Sequence, residues 1–249
     1  MKKKYFKKEI VKLWYEKVYN KKIIRKNISF SGCSGHQLEL LFGLKPNNKN
    51  EPDFKDYELK LYSSKITFGD WKGVFLFETD PDTSRLDFLK QFGSYNESKG
   101  RYYFTKPTVP IFPSLSFKGL FWSIGKKELI LQSKCDIKKE SIFLCVWNLK
   151  ALKNKYINKF SGNILLAKGI KGIQKSLLIV NRLTWPLFLK LFQKGVIYLD
   201  PCLSSKCNRN RSLFRIQTKQ LLDTLGYTEY FVCSATNEIL ERVVSKVDT

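Results

Sequence analysis

Short apolar segments that switch between two-residue and helical spacing, with no long uninterrupted run, constrain this chain more than any other feature. Tyr57 to Tyr62 alternate as a half-buried strand does, and Val74–Glu78, Glu128–Gln132, Ile142–Trp147, Asn163–Ala167, Val196–Leu199 and Ser212–Ile216 read as further strands. Helical spacing marks residues 3–19, His36–Phe42, Leu86–Phe92, Trp185–Lys194 and Thr218–Leu225, and Gly43, Gly195 and Gly226 stand where such helices stop. Residues 93–114, with three prolines, read as irregular. No repeat period is present. Interleaved strands and helices place the chain in the α/β or α+β class. At 249 residues and 43% hydrophobic, it can bury a sizeable core in one large domain or two lobes.

Charge speaks to partners rather than to fold. The formal net charge is +23. Residues 1–26 hold eleven Lys or Arg against Glu9 and Glu16, and residues 141–222 hold fifteen against Asp200 alone. Lysine-rich composition accounts for part of this, but so long a stretch with one acid reads as a surface that faces phosphates. The basic N-terminal segment lacks the apolar run of a signal peptide, and no stretch reaches the length of a membrane span. The six cysteines therefore read as reduced thiols of a cytoplasmic protein with no membrane partner. Cys202 and Cys207 make a poor start to a zinc site in a chain with one histidine and no CxxC pair.

Against that background, EPDFKDYELK (residues 51–60) gathers Glu51, Asp53, Asp56 and Glu58 ahead of Lys60. Glu58 and Lys60 are two apart on a predicted strand and share a face. Asp53 precedes them across a short turn and can return beside Glu58, giving Asp-x4-Glu-x-Lys after a proline. Phosphodiester hydrolysis needs a metal to neutralise phosphate charge and activate water, and carboxylate oxygens suit magnesium. A lysine beside them can stabilise the charge that develops. Glu51 and Asp56 read as loop residues. The competing reading of the motif is an exposed turn entering a strand. A glycine-led helix upstream carries Glu39, a further carboxylate.

Taken together, GHQLELLFGLKPNNKNEPDFKDYELKL resembles the signature of the MutH family of DNA endonucleases within the PD-(D/E)xK superfamily. Gly35, Glu39 and Gly43 fall at the family's helix spacing, and Asp53, Glu58 and Lys60 occupy its catalytic triplet. Residues 195–226 are similar to the C-terminal strand–loop–strand–helix of the MvaI/BcnI-type members, with Arg215 at the arginine of an FRI-like step. The match departs where those members carry loop histidines and this chain has Asn208, Arg209, Asn210 and Arg211.

The resemblance implies a restriction-endonuclease-like α/β fold, a mixed central sheet flanked by helices, in two lobes around a DNA-binding cleft. The chain would be a single two-lobed domain over 1–249, with a catalytic lobe centred on 30–95 and a recognition lobe centred on 180–230. It implies a monomeric, Mg2+-dependent type II restriction enzyme that cuts double-stranded DNA to leave 5′-phosphates, paired genetically with a cognate DNA methyltransferase. Asp53, Glu58 and the backbone carbonyl of Leu59 would bind the metal, with Lys60 at the attacking water. Glu39 would complete a second metal site or orient a water. Lys206, Arg209, Arg211 and Arg215 are the DNA-binding candidates. A GATC site and a CC-N-GG-type site are both compatible, the second favoured by chain length and C-terminal organisation.

His36 shares the helix face of Glu39 and reads more simply as a packing or capping residue than as an active-site group. Phe121, Trp122, Tyr102 and Tyr103 are possible base-stacking groups for which ordinary packing is the simpler reading. A strand-nicking mismatch-repair enzyme of the same family and a non-catalytic nucleic-acid-binding protein remain the alternatives.

Overall fold

The computed structural model describes residues 7–24, 32–45, 49–54, 56–104, 111, 114–116, 119–134, 141–207, 210 and 212–246. Helices α1 (Lys7–Lys17) and α2 (Cys33–Leu41) are followed by strands β1 (Tyr57–Leu61), β2 (Lys65–Asp70) and β3 (Val74–Phe75). Helix α3 (Arg85–Phe92), strands β4 (Ser94–Asn96), β5 (Arg101–Phe104), β6 (Leu120–Ile124), β7 (Glu128–Lys134) and β8 (Ser141–Asn148) come next. Helix α4 (Leu149–Phe160), strands β9 (Asn163–Ile170) and β10 (Ile173–Val180) and helix α5 (Trp185–Gln193) follow. The chain ends with β11 (Ile197–Asp200), β12 (Leu203–Ser204), β13 (Leu213–Gln217), α6 (Thr218–Leu225), β14 (Tyr227–Val232) and β15 (Ile239–Val244).

Two compact units are built from discontinuous segments. The first holds residues 1–66, 155–187 and 217–249, and the second 67–154 and 188–216. The first unit carries the five-stranded sheet β1-β9-β10-β14-β15. Edge strand β1 runs parallel to β9, and every other pairing is antiparallel, so the sheet is mixed. Lys171 and Gly172, at φ of 49° and 83°, turn β9 into β10 through a two-residue hairpin, whose backbone twist requires positive φ at both positions.

One face of this sheet presents Leu59, Leu165, Ala167, Leu177, Ile179 and Tyr230. Against it pack Ile10, Val11 and Trp14 of α1, spaced for one side of a helix, and Leu38 of α2 with Phe42 just beyond it. The other face places Glu58 and Lys60 in line with Ile164, Leu166, Leu178 and Val180, all of these apolar residues buried. Strand β9 is thus apolar on both sides, as a parallel-paired interior strand requires.

The second unit contains three smaller sheets, β11-β13-β2, β12-β5-β4 and β3-β8-β7-β6. Aromatic packing fills it. Trp147 lies against Phe75 and Trp122, and its Nε1 donates to Trp71 O at 3.0 Å. Phe121 and Trp122 are buried, which commits them to this core rather than to base stacking.

Several elements depart from the sequence expectation. Val74–Glu78 is strand only at Val74–Phe75 and then a single 3-10 turn, fixed by Phe75 N–H donating to Glu78 Oε2 at 2.9 Å. The stretch expected to be irregular contains β4 and β5. Strands β2, β6, β10, β14 and β15 and helix α4 were not anticipated.

Candidate active site

The site is assembled in the first unit around the edge strand β1. Phe54 and Tyr57 exchange backbone hydrogen bonds of 3.0 and 3.2 Å, which closes a tight turn between the Pro-Asp step and the strand. The turn returns Asp53 to the strand, where its Oδ2 accepts from Leu59 N–H at 2.8 Å. The N–H and C=O of one strand residue project from the same edge, so the Leu59 carbonyl lies on the side occupied by Asp53. Asp56 contributes through its backbone. Its carbonyl accepts from Asn163 N at 3.0 Å, tying the turn to the start of β9. A Cβ at Gly162 would stand 1.9 Å from that carbonyl oxygen, so the approach needs glycine.

Glu58 is 1% exposed, a carboxylate on an otherwise apolar sheet face. Its Oε1 is held by two ammonium groups, Lys60 from two positions along the strand and Lys159 at 3.3 Å from the end of α4. Phe160, next to Lys159, places its ring 5.9 Å from Lys60 Nζ. Glu58 Oε2 is buried and accepts no hydrogen bond from the described residues. Burial pushes the Glu58 carboxyl above the usual carboxylate range; the two lysines oppose that shift and the Asp53 charge adds to it. For Lys60 burial disfavours the ammonium, but Glu58, Asp53 and Glu39 outweigh it and keep the group charged beyond the ordinary lysine range.

Glu39, on α2, belongs to the same cluster. Its carboxyl is raised first by burial and then by Asp53 and Glu58, while His36 and Lys60 act in the opposite sense. Asp53, Glu58, Lys60 and Glu39 are therefore electrostatically one site, and His36 lies close enough to Glu39 to influence it. Lys159 is the residue that sequence reasoning missed. It is one lysine among many, and its only signal was the helical spacing of Leu152, Tyr156 and Phe160, which places the end of α4.

The donor set suits a hard cation. An orphaned, buried carboxylate oxygen on Glu58 stands with the Asp53 carboxylate and the Leu59 carbonyl. Among the described residues no three His, Cys, Asp or Glu side chains converge as a complete cage.

The DNA-binding candidates lie elsewhere in the chain. Arg215, on β13 in the second unit, is largely buried, and its Nη1 donates to Asp200 Oδ2 at 2.6 Å. Lys206 is exposed and donates to Lys99 O at 3.0 Å. Arg209 and Arg211 lie outside the described residues. Tyr102 packs against Tyr95 with the rings tilted by 53° at a centroid distance of 4.9 Å, and its neighbour Tyr103 lines a pocket.

The model of the MvaI/BcnI restriction endonuclease family matches residues 8–224. Type II restriction enzyme ScrFI of Lactococcus lactis subsp. cremoris is 36% identical over a stretch covering 34% of this chain. That stretch spans 36% of the relative's own length. No solved structure matches the chain.

Proposed function

This chain belongs to the MvaI/BcnI restriction endonuclease family, and on that premise we propose that it is a type II restriction enzyme cutting double-stranded DNA with Mg2+. The observation that carries this reading is the buried Glu58, held through Oε1 by two lysines, with Oε2 accepting no hydrogen bond among the described residues, and Asp53 bonded to the next residue of the same strand. Asp53, Glu58 and the Leu59 carbonyl would hold the ion. Magnesium, when bound, supplies positive charge at the scissile phosphate and makes water a better nucleophile.

Lys60 stays an ammonium, so it works as a hydrogen-bond donor and fixed charge toward the phosphate and the attacking water, not as a base. Glu39, electrostatically coupled to Asp53 and Glu58, would complete a second ion site or orient a water. The products are a 5′-phosphate and a 3′-hydroxyl. Arg215, braced by Asp200, and Lys206 belong to the DNA-contacting set, and Arg209 and Arg211 are its further candidates. The enzyme acts as a monomer by two successive nicks. It works in the cytoplasm, where a cognate methyltransferase protects host DNA. Among the described residues no helix is long and apolar enough to cross a membrane.

The test is incubation of the purified protein with plasmid and phage DNA, with Mg2+ or with EDTA. Discrete bands in Mg2+ alone support the reading. Nicked circles that never become linear point to a strand-nicking enzyme, and no cutting with any divalent ion overturns both.

A further inference from the structure

The sheet β12-β5-β4 in the second unit carries a pocket of about 490 Å3 lined by Lys99 and Arg101 with Asn96, Tyr103, Ser204, Leu203 and two cysteines. Its floor follows from strand register. Asn96 pairs with Arg101, and Tyr103 pairs with Ser204, so these four side chains share one face of the sheet. The opposite face turns inward, where Phe104 packs on Phe88. Lys99 completes the rim from the turn between β4 and β5, and none of the described lining residues is acidic.

The frame is fixed. Asn96 Oδ1 accepts from Lys99 N at 2.9 Å, which leaves the amide nitrogen as the end of that side chain available to donate. The Ser204 carbonyl accepts from Arg85 Nε and Nη2, each at 3.3 Å. Lys206 Nζ crosses to the Lys99 carbonyl. Arg101 Nε is buried and finds no acceptor among the described residues. A buried donor without a partner is costly, and the guanidinium that carries it lines the pocket.

We propose that this pocket, formed by Asn96, Lys99, Arg101, Tyr103 and Ser204, seats a backbone phosphate of duplex DNA. It rests on the reading of the protein as a DNA endonuclease and adds a site that positions the duplex without reading its sequence. The Arg101 guanidinium and the Lys99 ammonium neutralise the phosphate, and the Tyr103 and Ser204 hydroxyls and the Asn96 amide are the neutral donors around it.

The experiment is a salt titration of binding to a short mixed-sequence duplex in Ca2+, followed by fluorescence anisotropy. Wild-type affinity falls steeply with salt. Arg101→Met and Lys99→Met each reduce the slope of log K against log salt by about one and weaken binding alike on unrelated sequences. Arg101→Lys keeps the slope. If Arg101→Met fails to fold by circular dichroism, Lys99→Met, at an exposed position, reads the same quantity. Slopes equal to wild type in the folded variants overturn the proposal. So does inorganic phosphate binding that the substitutions remove while the duplex slope stays intact. Failure of wild type to bind duplex at all instead overturns the endonuclease reading.

Discussion

Lys159 Nζ stands 3.3 Å from Glu58 Oε1, so a buried carboxylate is gripped by a helix as well as by its own strand. Lys60 alone would leave the carboxylate free to rotate, whereas two ammonium groups on Oε1 leave Oε2 as the end that would face an ion. Lys159→Met should lower the cleavage rate about tenfold at saturating DNA and Mg2+, equivalent to roughly 1.4 kcal/mol in the barrier. Its stability in urea should fall by about 1–2 kcal/mol, the cost of a lost charge-assisted bond. Lys159→Arg should restore most of both.

The raised carboxyls give a pH signature. Glu58 and Glu39 are both shifted upward, burial being the largest cause. The acid limb of the cleavage rate should therefore lie above the ordinary glutamate value of about 4.3. Because ion and proton compete for the same oxygens, more Mg2+ should move that limb to lower pH. The stability linkage has a definite sign. A carboxyl with a raised folded pKa contributes stability fully below about pH 4.3 and loses it as pH rises through the folded value. Urea midpoints measured in EDTA should decline across that window.

Asp53 has a structural bond and a chemical task that can be separated. Asp53→Asn keeps a side-chain oxygen for Leu59 N–H and should remain folded while losing cleavage. Asp53→Ala should lose cleavage and also about 1 kcal/mol of stability. Equal stabilities for the two variants would show that the bond does not fix the turn.

Much of the site was legible because its motif is local. The alternation of YELKL places Glu58 and Lys60 on one face, and the return of Asp53 follows from the short turn. Glycine after α2 and α6 marks their ends correctly. What one strand cannot show is what lies beside it. Alternation suggests that Glu58 faces water, but β9, with Ile164, Leu165, Leu166 and Ala167, pairs in parallel and buries both faces. The missed α4 had buried Leu152, Tyr156 and Phe160 at helical spacing, hidden among Lys150, Lys153, Lys155 and Lys159. Strand β2 likewise alternates buried Ile66 and Phe68 in a stretch too short to stand out. The pairing of Arg215 with Asp200 depends on the β11–β13 register, which no local pattern contains.

Supercoiled-plasmid cleavage by Glu58→Gln, measured beside duplex binding by the same preparation, tests the central claim most directly. The substitution keeps the shape of the side chain and removes the charge that would hold the ion. Cleavage in Mg2+ should fall by roughly 10²–10³-fold or more, while duplex affinity in Ca2+ stays within a few-fold of wild type. A folded Glu58→Gln protein that cuts at near wild-type rate would place the chemistry elsewhere and contradict the account.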